Sequence, residues 1–291
     1  MRRWFQFVRE RFEPLSHFLM IAALFIANFG VARNFGDPKA SSLQIAIGLF
    51  LSLLFFFHLR LFDEIKDFQT DLEINRDRPL PRGLMKMAEF KRVLWSVLIL
   101  ELLLSLTSGP ASFPLLIAIG YSILMYREFF IGNWLRPKME AYAISHTFVS
   151  SLHSLFLVSL SLQISIQYLS TQVIWLMLIN WMLFNTFEFA RKTFSREEER
   201  AHVESYSKRW GLTGGMLWSA FFILLALLLV IKLDQFVGWH SSKIWILSGI
   251  SALPLLSGCW MCISESTKST KIFRAFAGLY LVLFSLALGV L

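Results

Sequence analysis

Charge is scarce in this chain and cysteine scarcer still. Of 291 residues only 16% are Asp, Glu, Lys or Arg, and two are cysteines, Cys259 and Cys262. A single C-x-x-C inside an apolar stretch, GCWMCI, supplies neither a disulfide framework nor a second pair of metal ligands, so the two thiols read as small packing residues between helices. The shortage of charge excludes an ordinary soluble globule, in which about a quarter of residues are charged. What fills the space is apolar: 56% of residues are hydrophobic and the mean hydropathy is +0.57.

A helix needs roughly 20 mostly apolar residues to cross the hydrocarbon core. Nine stretches qualify, at about 15–31, 41–60, 93–108, 112–126, 141–162, 171–190, 213–232, 243–262 and 272–290. The expected fold class is therefore an all-α polytopic membrane protein with nine transmembrane helices, a single domain over 1–291 embedded in the lipid bilayer. The net charge of +8 does not point to nucleic acid, because the basic residues sort by side. Those before the first expected span and after the second, fourth, sixth and eighth account for 24 of the 28 Lys and Arg. Basic residues are retained on the cytoplasmic side. The expected topology is thus a bacterial-type inner-membrane protein with a cytoplasmic amino terminus, cytoplasmic polar loops and an external carboxyl terminus.

The first of those loops, HLRLFDEIKDFQTDLEINRDRPLPRG, follows an unbroken apolar run. If the second span continues outward as a helix, Glu64, Asp67 and Asp71 lie at i, i+3 and i+7 on one face, with Asp63 alongside. Oxygen ligands without nearby cysteine suit a hard cation, and Mg²⁺ binds one or two carboxylates together with substrate phosphates. Arg76, Arg78 and Arg82 follow closely, and guanidinium forks grip phosphate. The sixth span ends NTFEFARKTFSREEERAHVESYSKRWG, where Asn185, Glu188 and Lys192 share a face and Arg191 is adjacent. Glu101, His146 and His153 lie inside expected spans, where a polar group faces a partner or a cavity.

DEIKDFQTD…DRPLPRG resembles the first motif of the UbiA superfamily of intramembrane prenyltransferases, N-D-x-x-D-x-x-x-D followed by a form of RPLPSG. On that pattern Asp63 takes the place of Asn, Glu64 that of the first Asp, and Asp67 and Asp71 match the other two. The second polar loop is similar in length and ending to the family's second motif, of D-x-x-x-D character, although no aspartate is present there. The resemblance implies a UbiA-like bundle of nine spans with both acidic loops cytoplasmic. It also implies Mg²⁺ held by Asp63, Glu64, Asp67, Asp71, Glu188 and Glu198, with Asp67 and Asp71 central to catalysis. Arg78, Arg82, Arg191 and Lys192 would bind the diphosphate. The implied activity is transfer of a polyprenyl group from polyprenyl diphosphate to a small-molecule acceptor, aromatic and quinone-precursor-like in the family's commonest form. A different class, a transporter or lipid-binding protein using the acidic loops to hold a divalent ion, would require polarity through the whole membrane depth, whereas here it is concentrated on one side.

The charge distribution makes a direct prediction. A reporter that is active only outside the membrane will be inactive when fused after Gly83 and active when fused after Leu291; the reverse pattern would overturn the assigned orientation.

Overall fold

The computed structural model describes residues 2–291, and these form helices joined by short turns, with no strand among them. The chain opens with α1, Arg2–Arg11, whose aromatic side sets Phe7 against Phe90, ring centroids 5.0 Å apart, while Arg2, Arg3 and Arg9 stay exposed. Glu13 then caps α2, Pro14–Ala32, accepting the Ser16 amide at 2.7 Å, with proline at the helix start where its missing N–H costs nothing.

Ser41 and Gln44 form a reciprocal capping box at the start of α3, Ser42–Lys66. At about 1.5 Å per residue this 25-residue helix is longer than the hydrocarbon core of roughly 30 Å. Its last turns therefore project beyond the apolar zone, and those turns carry the carboxylates. After a break at Asp67 the chain resumes as α4, Phe68–Ile74.

Eight helical stretches are long and apolar enough to span, rather than nine, because the third and fourth expected spans belong to one 40-residue stretch, Met87–Tyr126. That stretch folds back on itself. Its arms are α5, Met87–Ser105, and α6, Ser112–Tyr126, joined by a 3-10 turn in which Gly109 adopts φ 60°. Glu101 on α5 and Ser122 on α6 hydrogen-bond to the two ring nitrogens of the same residue, His58 on α3, at 2.8 and 2.9 Å. In a straight helix those residues would stand about 30 Å apart.

After α7, Gly132–Leu135, the expected fifth span is divided at Phe148 into α8, Met139–Thr147, and α9, Val149–Leu162. Every residue of α9 is buried, and it packs on α2, α3, α6 and α10 (Val173–Arg191). Serines along α9 make this possible, being small enough for close approach and able to bond across helices. Ser151 donates to the Met177 carbonyl at 2.8 Å, and Ser154 bonds Asn28 and accepts from Asn180 at 3.2 Å. The last three helices are α11 (Tyr206–Val237), α12 (Ser241–Ser264) and α13 (Thr267–Val290). Helix α12 lies at the periphery, so Cys259 is exposed instead of packed between helices, whereas Cys262 is half-buried against the cluster of Ala190, Met261, Phe273 and Ala277.

Helix α13 returns to α2, and the two cross where Gly30 meets Gly289; a Cβ on either glycine would run into backbone of the other helix. Backbone cannot yield as a flexible side chain does, so Gly30→Val costs at least the 1–3 kcal/mol typical of overpacking. The expected result is a lower unfolding midpoint in detergent than for wild type; an unchanged midpoint would refute the close crossing.

Candidate functional site

The extension of α3, α4, the end of α6, α8 and the end of α10 converge on a cavity of about 620 Å³ at one end of the bundle. Its inner wall is apolar and aromatic. Phe62 and Tyr126 stack with centroids 4.6 Å apart, and Phe56 and Phe184 face each other at 6.1 Å. Its outer wall is charged, with six Lys and Arg against five carboxylates.

The first acidic segment supplies Asp63, Asp67 and Asp71 to this cavity. Asp71 is buried and held by Arg78, whose Nη1 donates to both carboxylate oxygens at 2.7 and 2.6 Å, and by Asn75 at 2.7 Å. Asp63 stands 3.7 Å from Lys66. Asp67 makes no ion pair or side-chain hydrogen bond among the described residues. Its exposed surface opens onto the cavity, within a ring of protein. That confinement raises its carboxyl above the usual range, the nearby Asp63 and Asp71 add to the rise, and Lys66 and Arg78 only partly offset it. A carboxylate crowded by its own kind is the environment that a cation relieves.

Glu64 turns away from this cluster. Arg11 of α1 donates to it at 2.7 Å and Arg60 pairs with it from one turn earlier. The expected face of Glu64, Asp67 and Asp71 is thus replaced at the cavity by Asp63, Asp67 and Asp71. The cause is α1, whose docking could not be read from the local spacing around position 64. Arg82 also lies elsewhere, paired with Glu10 at 2.9 Å.

From the second segment the cavity receives Glu188, Arg191 and Lys192. Arg191 Nε approaches one Glu188 oxygen at 2.5 Å and Lys192 Nζ the other at 2.8 Å, so two cations occupy this one acid. Glu198 is absent from the cavity lining. It accepts Arg274 Nη2 at 2.5 Å and Nη1 at 3.0 Å, Thr270 at 2.7 Å and the Ser195 amide at 3.2 Å, tying the loop to α13. Its neighbours are engaged too: Glu197 accepts from Thr267 at 2.5 Å and Glu199 from Ser205 at 2.6 Å. Glu204 and Tyr142 also line the cavity, and no local motif marks either of them. Tyr142 accepts a hydrogen bond from Lys66 at 2.7 Å and stacks on His146, and both Glu204 and Tyr142 also border a neighbouring cavity of about 260 Å³.

Within the membrane zone Glu101 is paired with His58, which is paired with Ser122, and all three are buried. His146 borders the main cavity, whereas His153 is buried between Phe55 and Phe56 with neither ring nitrogen hydrogen-bonded.

The molecule is therefore a multi-pass membrane bundle with a cavity that is apolar within and densely charged at its mouth. Residues 16–287 match the UbiA prenyltransferase family, and the chain belongs to that family. No curated protein matches it in sequence. Its fold is similar to that of a solved digeranylgeranylglyceryl phosphate synthase (TM-score 0.67, 18% identity, covering 100% of this chain and 98% of that one). It is also similar to the ligand-free UbiA homolog from Aeropyrum pernix K1 (TM-score 0.67, 11% identity, 90% of this chain and 94% of that one).

Burial tends to raise the Glu198 carboxyl, but the bonds from Arg274 and Thr270 outweigh it and hold the group down at about 2, from an ordinary 4.5. A depressed pKa stabilises the folded state above the unfolded value, and that stability drains away as pH falls through the folded one. Arg274→Ala should lower the unfolding midpoint at pH 7 and flatten its decline between about pH 4.5 and 2. An acid limb identical to wild type would show that the pair does not anchor the loop.

Proposed function

We propose that this protein is a Mg²⁺-dependent intramembrane prenyltransferase that takes a polyprenyl group from its diphosphate and joins it to a small acceptor. The observation that carries the reading is the division of one cavity into an aromatic interior and a mouth bearing both carboxylates and free cationic donors. An isoprenoid diphosphate has that same division.

Among the described residues no three His, Cys, Asp or Glu side chains are clustered closely enough to enclose a metal ion unaided. This suits a metal completed by substrate phosphate, since Mg²⁺ uses one or two protein carboxylates. Asp67, unpaired and crowded by like charge, is the best donor, with Asp63 and Asp71 beside it. When bound there, Mg²⁺ supplies charge neutralisation to the departing diphosphate.

The chain's own residues do the rest. Arg78, Arg191 and Lys192 hold diphosphate oxygens at the mouth and stabilise the charge that develops as the allylic C–O bond breaks. Tyr126, half-buried in the cavity wall and backed by the stacked Phe62, is the ring beside the allylic carbon as it becomes cationic, and a ring face is attractive to such a centre by about 0.5–2 kcal/mol. The apolar wall excludes water, which would otherwise capture the cation before the acceptor does.

A quinone-precursor-like aromatic acceptor is the commonest choice in the family, and the similarity to digeranylgeranylglyceryl phosphate synthase brings phosphorylated glycerol lipids into the acceptor set. The transporter reading has less support, because several interior polar groups are taken up by one another: His58 with Glu101 and Ser122, and Asn28 with Ser154.

Purified protein given geranylgeranyl diphosphate and a panel of both acceptor types should release diphosphate only with Mg²⁺. Asp67→Asn should slow turnover at least 100-fold while leaving the unfolding midpoint near that of wild type, and Asp71→Asn should slow turnover and also lower the midpoint, because it takes the buried carboxylate from Arg78. Turnover that survives both substitutions, or that is indifferent to Mg²⁺, would sink the proposal.

A further inference from the structure

We infer that this protein holds its substrate with a single divalent cation, and that Arg191 and Lys192 take the place of a second one. The inference rests on the prenyltransferase reading and specifies how the diphosphate is gripped.

Three observations lead to it. First, the acid expected to anchor a second metal is already neutralised: both Glu188 oxygens are engaged, by Arg191 and by Lys192, within the same helix end. Four positions after Glu188, where a D-x-x-x-D pattern would put its second carboxylate, the chain has Lys192. Second, the neighbouring segment brings no pair of carboxylates to the cavity. Glu197, Glu198 and Glu199 are each bonded elsewhere, to Thr267, to Arg274 and Thr270, and to Ser205. Glu204 reaches the cavity without another acid from its segment beside it there.

Third, the two cations keep donors to spare. Arg191 gives Glu188 only its Nε, and neither terminal nitrogen makes a protein hydrogen bond among the described residues; 48% of its side chain is accessible, and 32% of that of Lys192. A guanidinium fork and an ammonium directed at one cavity are suited to phosphate oxygens.

The diphosphate therefore lies between two unlike walls: Asp63 and Asp67 act through one metal, while Arg191 and Lys192 act directly.

The test is metal stoichiometry with a donor that cannot react. Calorimetric titration of Mg²⁺ into the full-length protein saturated with geranyl thiolodiphosphate should give one ion per chain, and Mn²⁺ in its place should show an electron paramagnetic resonance spectrum without metal–metal coupling. Glu188→Gln should leave that stoichiometry unchanged. Arg191→Gln and Lys192→Gln should weaken the analogue about 10- to 100-fold at saturating Mg²⁺, the scale of a lost charged hydrogen bond. Two ions per chain, falling to one in Glu188→Gln, would overturn the inference and leave the prenyltransferase reading intact. Absence of any Mg²⁺-linked binding of the analogue by wild type would remove both. The wild-type measurement decides the count without relying on any variant to fold.

Discussion

Hydrocarbon offers no water to a buried polar group, and this constraint shapes everything else in the molecule. Polar side chains in the interior are driven to find one another, and several do so at junctions that also fix how the helices pack, while His153 stays between Phe55 and Phe56 without a hydrogen bond. His58 joins α3 to both α5 and α6, and Asn28 and Asn180 meet at Ser154 on the wholly buried α9. The apolar surroundings make these contacts specific, because displacing a helix would strand each group without a partner. Charge that cannot be paired inside is displaced to one end. There the overlong α3 and the end of α10 carry it beyond the apolar zone, where it rims a cavity whose walls are already fixed by the packing below.

That arrangement joins two chemistries without a separate soluble domain. The same helices that pack in the bilayer present aromatic rings at the cavity's depth and charged groups at its mouth. A ligand with an apolar tail and an anionic head is oriented by this gradient alone.

The acidic and basic residues near the mouth have different duties despite their similar appearance in sequence. Asp67 is left unpaired among like charges, Asp71 is chelated by Arg78, and Glu64 is enclosed by Arg11 and Arg60. In the loop after α10, Glu198 is a fastening to α13, whereas Arg191 and Lys192 face the cavity. A carboxylate's usefulness to a ligand thus depends on which cations have already claimed it, and those cations come from helices remote in sequence.

Much of the fold was legible in the sequence because hydrocarbon imposes a length and composition that local residues alone must satisfy. The apolar runs, their punctuation by charge and the first motif around Asp63, Asp67, Asp71 and Arg78 all follow from neighbouring residues. Pairing between distant residues does not. The return of α1 to Glu64, the loss of Arg82 to Glu10, the removal of Glu198 by Arg274 and the exposure of Cys259 each depend on helices brought together from far along the chain. By itself the sequence determined that this protein lives in a membrane and which loop carries its acids, since each is a property of contiguous residues and their solvent. Only the tertiary structure decided which of those charges remain free to meet a ligand, because an ion pair is made in space and its partners need share no local pattern.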